Sequence, residues 1–205
     1  MVFRIHRQVR DGRDGSQHRP AHAEEVLSAK VGARIVVWSE TGAPVLEADK
    51  SALLAKVATV AREESVYVDA AIGVPFERNE TYLVAPSGNE QWHYRKNHPV
   101  PGLEPVAPYQ NDAPVAQTPF GKLSNVICYD GDFPALTRTP VDIMLLPGWD
   151  WREMGYTHTM NMARLRAIEN GYSLIRIDFM GVSAALILMA ACWRSKTRCP
   201  GKATL

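Results

Sequence analysis

The chain has 205 residues, enough for one domain of ordinary size with a buried core. Hydrophobic residues make up 46% and charged residues 22%, which argues against wholesale disorder. A net charge of +1 gives no overall argument for binding to nucleic acid or to an anionic membrane. Three cysteines do not suggest a disulfide scaffold, and the spacing from Cys192 to Cys199 is not one that zinc sites use.

The two ends of the chain are basic. Residues 1–20 carry five Arg and two Asp, and residues 193–205 carry four basic residues and no acidic one. Such ends suit contact with a membrane surface or a nucleic acid, but simple solvation is the favoured interpretation. We therefore predict a weakly ordered basic segment over residues 1–23, with at most a short edge strand at Val2–Ile5.

No targeting or membrane segment is predicted. The first twenty residues lack the apolar region of a secretory signal. The longest apolar stretch, Phe179–Trp193, has 15 residues and is too short to cross a bilayer. We therefore expect a soluble chain in the cytoplasm.

The first half of the chain alternates apolar runs with turn residues. The pattern predicts a helix that ends over Glu24–Lys30, then a buried strand at Ile35–Trp38. An amphipathic helix follows at Lys50–Glu64, where the apolar residues fall on one face. Two strands and a hairpin turn come next, and a third strand pairs back: Val66–Ile72, Thr81–Ala85, Ser87–Asn89 and Trp92–Tyr94.

The second half begins with five prolines between Pro99 and Pro114, which predict a long irregular loop of functional importance. The later predicted elements are the strands Leu123–Cys128, Asp142–Leu146 and Ser173–Ile177, and a helix Thr157–Asn170 with Thr157 as N-cap and Gly171 beyond its end. Strands that alternate with helices and hairpins indicate an α/β fold with mixed sheets.

Three reactive side chains each follow a predicted strand: Glu40, Lys96 and Cys128. The ends of strands expose side chains to a crevice in α/β proteins. A carboxylate within reach of a thiol can take its proton during attack on an acyl carbon. A fixed ammonium can stabilise the oxyanion that forms, by roughly 3–4 kcal/mol. Together the three residues suit acyl transfer.

Each residue also has an ordinary structural interpretation. A cysteine after a strand is often a small buried apolar residue, Glu40 suits a turn cap, and Lys96 suits a solvated loop. The spacing alone does not bring the three together. By the same reasoning His158 is predicted to be a polar packing residue, while Trp149 and Trp151 line an acyl pocket or the edge of the core.

Four strings in order strengthen the functional interpretation. They are residues 36–44 (VVWSETGAP), 94–104 (YRKNHPVPGLE), 126–134 (VICYDGDFP) and 162–171 (MARLRAIENG). Over residues 24–185 the chain resembles the carbon–nitrogen hydrolase (nitrilase) superfamily. Within it, the strings are most similar to the catalytic domain of the apolipoprotein N-acyltransferases.

The resemblance implies a four-layer α-β-β-α sandwich. It also implies that Glu40 is the general base, Lys96 the oxyanion stabiliser and Cys128 the nucleophile, with Glu104 as a supporting acid. Tyr129 and Asp130 match the pair that follows the nucleophile, and we expect both, with Trp149, to contact substrate. The substrate is then a small-molecule amide or acyl compound, no metal or organic cofactor is needed, and the chain pairs as a homodimer.

Some positions depart from the family pattern. Ser39 stands where the family usually has proline, and residues 186–205 lack the expected closing strands. We therefore predict a family domain over residues 24–185 and an atypical C-terminal segment over 186–205, truncated or read in another frame. The alternative function is an inactive or truncated fragment of a membrane N-acyltransferase, which would make the chain membrane-associated.

Overall fold

The computed structural model describes residues 2–6 and 32–187. The predicted helix end at Glu24–Lys30 and the basic tail with Cys192 and Cys199 lie outside the described residues. The predicted domain boundaries stay a prediction. No helix within the described ranges is long and apolar enough to cross a membrane.

The first sheet is mixed and has six strands. β1, β2, β3 and β4 pair in parallel, with β3 joined to β4, while β5 and β6 are antiparallel to their neighbours. The strands are Val2–His6 (β1), Ala33–Trp38 (β2), Ala43–Pro44 (β3), Tyr67–Val74 (β4), Arg78–Val84 (β5) and Glu90–Arg95 (β6). The spatial order is β1-β2-β4-β5-β6, so the predicted N-terminal edge strand is confirmed.

The second sheet has five strands in the order β11-β10-β9-β8-β7. The three central strands are parallel, and each outer strand is antiparallel to its neighbour. The strands are Val115–Thr118 (β7), Gly121–Asn125 (β8), Ile143–Gly148 (β9), Ser173–Asp178 (β10) and Ala184–Leu186 (β11).

Helices cover the outer faces of both sheets. The helix α1, Glu47–Glu63, buries Val57, Val60 and Ala61 against the first sheet. The second helix is short, and after it comes a continuous helical segment with a π-helical stretch in its middle. These elements are Pro134–Thr137 (α2), Arg152–Thr157 (α3), the π-helical stretch His158–Ala163 and Arg164–Asn170 (α4). Gly171 ends α4 in the left-handed conformation, with φ of 71°, as predicted.

The main core lies between the sheets. Ile35 and Leu83 of the first sheet pack with Leu123, Leu145 and Ile175 of the second, all at or below 2% exposure. A second cluster joins α1 to the outer face of the first sheet. The layers therefore run helix, sheet, sheet, helix, which confirms the predicted α-β-β-α sandwich.

Two predicted boundaries near the site are wrong. Thr157 is not an N-cap, because the helix begins five residues earlier at Arg152 and Thr157 has helical dihedral angles. The strand predicted over Leu123–Cys128 ends at Asn125, and Cys128 begins a 3-10 turn that reaches Asp132. The apolar run continues through Val126 and Ile127 because these residues are buried in the core without belonging to the strand.

Candidate active site

The end of the first sheet presents an ammonium between two carboxylates. Glu40 lies two residues after β2 and Lys96 directly after β6. Lys96 Nζ lies 2.7 Å from Glu40 Oε1 and 2.5 Å from Glu104 Oε2. Lys96 is only 2% exposed, so water screens these ion pairs weakly. The structure therefore brings three of the predicted site residues together.

Asn79 completes this group and was not predicted from the sequence. Its side-chain nitrogen donates to Glu40 Oε1 at 2.7 Å and to Glu104 Oε1 at 3.2 Å. The backbone carbonyl oxygen of Asn79 accepts a hydrogen bond from the backbone N–H of Lys96 at 2.9 Å. Asn79 thus orients both carboxylates. An asparagine in β5 carries no sequence signal that distinguishes it from a turn residue.

Cys128 is held at a sharp turn between β8 and α2. Its φ is 46°, in the left-handed region that residues other than glycine rarely adopt. A non-glycine residue in this region costs about 1–3 kcal/mol and often marks a functional position. The turn brings the thiol to the cavity wall that Glu40 also lines, close enough for the charge of Glu40 to act on it. The fourth predicted residue thus joins the group from the second sheet.

The electrostatics of the group follow from burial and from its charges. Burial raises the pKa of the Cys128 thiol, and the charge of Glu40 raises it further, against the opposing effect of Lys96 and Arg176. Burial also raises the pKa of Glu40, although Lys96 opposes this. Burial lowers the pKa of Lys96, but Glu40, Cys128 and Glu104 outweigh that effect and raise it overall. Lys96 is therefore a permanent cation beside an acid with an unusually high proton affinity.

Asp130 is buried behind the site. Its carboxylate accepts hydrogen bonds from the Tyr94 hydroxyl at 2.8 Å and from the backbone N–H groups of Ile127, Asn97 and His98 at 3.3, 3.3 and 2.8 Å. His98 Nδ1 also lies 2.9 Å from Asp130 Oδ1. With its oxygens occupied and no exposed surface, Asp130 does not reach the cavity described below. Its contact with substrate stays a prediction, and its hydrogen bonds tie the Cys128 turn to the segment after Lys96.

Tyr129 is half-buried and packs edge-on against Phe133, with ring centroids 5.3 Å apart. Phe133 in turn stacks on His98. Tyr129 is not among the residues that line the cavity, and its contact with substrate stays a prediction. Its place in the structure is the support of the Cys128 turn.

A cavity of about 570 Å³ opens onto the group. Glu40, Lys96, Glu104 and Cys128 line it, so the buried sulfur has access to ligands. The remaining wall is mostly apolar: Pro44, Val74, Pro75, Phe76, Val100, Leu103, Pro105, Val106, Trp149 and Trp151. Trp149 lines the cavity as predicted and meets Phe179 edge-on at 5.4 Å.

A second charged cluster borders Cys128 from its own sheet. Asp150 follows β9, and its Oδ1 lies 3.8 Å from Cys128 Sγ. His158 and Arg176 of β10 form ion pairs with Asp150, and Arg176 also pairs with Asp178. His158 is thus more than the polar packing residue that was predicted. Two charged residues inside the apolar strand at Ser173–Asp178 were a sequence signal for this cluster.

Cys128, Asp150 and His158 offer ligand atoms within 4.8 Å of one another, a set with the chemistry of a zinc site. Arg176 argues against that use. Its Nη2 lies 2.5 Å from Asp150 Oδ2 and 3.1 Å from His158 Nδ1, so a guanidinium already contacts these donors. A second cation there would face direct repulsion.

Comparisons with known proteins agree on the carbon–nitrogen hydrolase family. A model of the carbon–nitrogen hydrolase family matches residues 14–190. A formamidase from Pseudomonas syringae pv. syringae is 39% identical over 90 residues, 42% of this chain and 24% of the formamidase. An apolipoprotein N-acyltransferase from Geobacter metallireducens is 26% identical over 186 residues, 74% of this chain and 35% of that protein. The chain thus spans about a quarter to a third of the length of these curated relatives.

Solved structures share the fold. An amidase from Nesterenkonia sp. superposes with a TM-score of 0.70 at 19% identity, covering 80% of this chain and 71% of the amidase. A variant of that amidase gives a TM-score of 0.70 at 17% identity, over 82% of this chain and 78% of the variant. The variant shows the product of Michael addition of acrylamide at its active-site cysteine. At this identity, the likeness establishes the common architecture.

Proposed function

Because this chain belongs to the carbon–nitrogen hydrolase family, we propose that it cleaves the C–N bond of a small-molecule amide through a thioester on Cys128. The observation that carries this proposal is the meeting of Cys128, Glu40 and Lys96 at the wall of one cavity. Family membership alone would be compatible with an inactive chain. A complete set of nucleophile, base and cation favours an active one.

The proposed first step forms the thioester. Glu40 takes the thiol proton as Cys128 Sγ attacks the carbonyl carbon, which suits a carboxylate whose pKa is raised by burial. The carbonyl oxygen becomes an oxyanion, and the Lys96 ammonium stabilises it. When the C–N bond breaks, Glu40 returns the proton to the leaving nitrogen, and ammonia or an amine departs.

The second step releases the acid. Glu40 takes a proton from a water molecule as its oxygen attacks the thioester carbon. The C–S bond then breaks, the proton passes to the sulfur, and the thiol is restored. Glu104 and Asn79 hold Lys96 and Glu40 in place through both steps. Apart from water, the groups that this scheme uses are side chains of the chain itself.

A second candidate is transfer of the acyl group to an amine. It is favoured by the apolar cavity wall, which includes Leu103 at 61% and Phe76 at 80% exposure. Exposed apolar side chains at a mouth suit a long acyl group or an apolar acceptor. Adding an alkylamine at a concentration far below that of water would separate the two: transfer yields the N-alkyl amide at the expense of the free acid.

The test uses a parent in which Cys192 and Cys199 are replaced by serine, so that Cys128 is the remaining thiol. Ammonia release from formamide and butyramide is measured, and the quenched protein is analysed by mass spectrometry. We expect turnover and an acyl adduct on Cys128, both lost in Cys128→Ala.

Turnover by a folded Cys128→Ala variant, or an adduct on another residue, would contradict the proposal. A parent that melts cooperatively but leaves every amide and ester untouched would instead support the alternative of an inactive fragment.

A further inference from the structure

The nucleophile has two carboxylate neighbours, and the proposed mechanism uses one of them. Glu40 lines the same cavity wall from the first sheet and acts on the thiol through its charge, and Asp150 contacts the sulfur from the second sheet. The Cys128 Sγ lies 3.8 Å from Asp150 Oδ1, so the thiol can donate to it. The negative charge of a carboxylate in this place stabilises the protonated thiol and disfavours the thiolate. Its charge therefore has to be balanced for Cys128 to react.

The positive charge of Arg176 alone does not neutralise the Asp150 carboxylate. Its Nη2 lies 2.5 Å from Asp150 Oδ2 but also 3.0 Å from Asp178 Oδ2, so one cation serves two acids. Arg176 has no exposed surface, and its other terminal nitrogen has no hydrogen-bond partner. The second cation beside Asp150 is His158, with Nδ1 at 3.0 and 3.2 Å from the two carboxylate oxygens.

His158 is placed to be protonated. Nδ1 faces Asp150 and Nε2 lies 2.6 Å from Asp132 Oδ1, and an imidazole donates from both nitrogens only as a cation. Burial and the nearby Arg176 lower the pKa of His158, but the two carboxylates outweigh them and raise it to about 9. The groups that face the ring are thus Asp132 from the 3-10 turn, Asp150, Arg176 of β10 and the Cys128 sulfur.

We propose that His158 is a positioning residue for Cys128, which as an imidazolium neutralises the Asp150 carboxylate beside the sulfur and so sets the reactivity of the thiol. His158 does not touch the substrate in this scheme, and its effect passes through Asp150. The inference rests on the proposed role of Cys128 as nucleophile. It assigns a function to a cluster that the proposed mechanism leaves unused.

The experiment follows alkylation of Cys128 by iodoacetamide from pH 6 to 10 in the Cys192→Ser, Cys199→Ser parent, which needs no knowledge of the substrate. In His158→Gln, we expect the alkylation rate at pH 7.5 to fall by about threefold or more, the change produced by half a unit of thiol pKa. His93→Gln is the matched control, because His93 also pairs with a buried carboxylate, Glu80, but lies outside the cavity wall. It should leave the alkylation profile unchanged.

A double-mutant cycle tests the route through Asp150. In an Asp150→Asn background, His158→Gln should cause no further fall, because the charge that it compensates is gone. An equal fall in both backgrounds, or none in either, would overturn the inference. If His158→Gln does not fold, the Asp150→Asn variant by itself tests the proposal. Its Cys128 should be alkylated at least as fast as in the parent, and slower alkylation would contradict the proposal.

The two proposals fail in different ways. A parent whose Cys128 resists iodoacetamide while amide turnover continues would remove Cys128 as nucleophile and this inference with it. A parent that is alkylated normally, with a His158→Gln variant that only melts at a lower temperature, would leave the proposed function standing and reduce His158 to a structural role.

Discussion

The Tyr94 hydroxyl donates a 2.8 Å hydrogen bond to Asp130 Oδ2, which joins the edge strand β6 of the first sheet to the turn that carries Cys128. Lys96 lies two residues beyond Tyr94, and Cys128 two residues before Asp130. The contact therefore fixes the distance between the proposed nucleophile and the cation.

The first prediction concerns this contact. Asp130→Asn places an amide nitrogen against backbone N–H groups that need an acceptor, so we expect the free energy of unfolding to fall by about 2–3 kcal/mol. Tyr94→Phe removes one donor and should cost about 1 kcal/mol. Urea denaturation measures both. Equal losses in the two variants would show that the backbone donors contribute nothing.

The second prediction concerns the pH dependence of amide turnover. Glu40 acts as a base only when ionised, and burial raises its pKa above the ordinary value of 4.5. The rate should therefore rise with pH through a midpoint above that value. The profile of kcat/KM measures this. Glu40→Gln should abolish turnover, and Glu47→Gln, at an exposed helix position, should leave the profile unchanged. An acid limb at or below 4.5 would exclude Glu40 as the base.

The third prediction concerns a carboxyl group buried between the sheets. Asp69 has no exposed surface, accepts from Asn125 at 2.7 Å, and burial raises its pKa to about 8. Because the folded state holds this proton more tightly than the unfolded chain, the contribution of Asp69 to stability is present below about pH 4 and is lost as the pH rises toward 8.

The change to test is Asp69→Asn, which cannot titrate. Its free energy of unfolding, relative to the wild type, should improve steadily between pH 5 and pH 8. Urea denaturation at several pH values measures the difference. A difference that stays constant over this range would show that Asp69 titrates normally.

The fourth prediction concerns the apolar wall of the cavity. The wall should favour amides with longer acyl groups, since each buried methylene contributes about 0.8 kcal/mol. We expect kcat/KM to increase from formamide to butyramide. Trp149→Ala should raise KM for butyramide by several-fold and leave formamide nearly unaffected. Leu165→Ala, an exposed change on α4, is the matched control. An equal effect on both amides would place Trp149 outside the acyl site.

The sequence indicated that Glu40, Lys96 and Cys128 lie near strand ends because each stands within a recognisable string. Glu40 and Lys96 follow β2 and β6 closely, and periodicity located both strands. Cys128 was placed at the end of its strand, but the chain leaves the sheet three residues earlier. A positive φ at a cysteine has no sequence signature, so the turn that aims the thiol was not foreseen.

The supporting residues were predicted less well, because their roles depend on contacts between distant segments. Asp130 receives four donors from two segments of the chain, residues 94–98 and Ile127, and the sequence did not indicate this enclosure. Asp150, His158 and Arg176 belong to three elements that only the parallel pairing of β9 with β10 and the fold of the π-helical stretch bring together. Secondary-structure propensities describe single elements, so they do not predict contacts between residues of different elements.

The proposed reacting groups come from both halves of the sandwich: Glu40 and Lys96 from one sheet and Cys128 from the other. In the proposed mechanism, turnover thus depends on the relative position of the two sheets. A slip of an ångström between them would separate sulfur from base while every strand kept its neighbours. If the proposed function holds, turnover should therefore be lost under mild perturbation before any secondary structure is lost, and the rate would report on the packing between the two sheets.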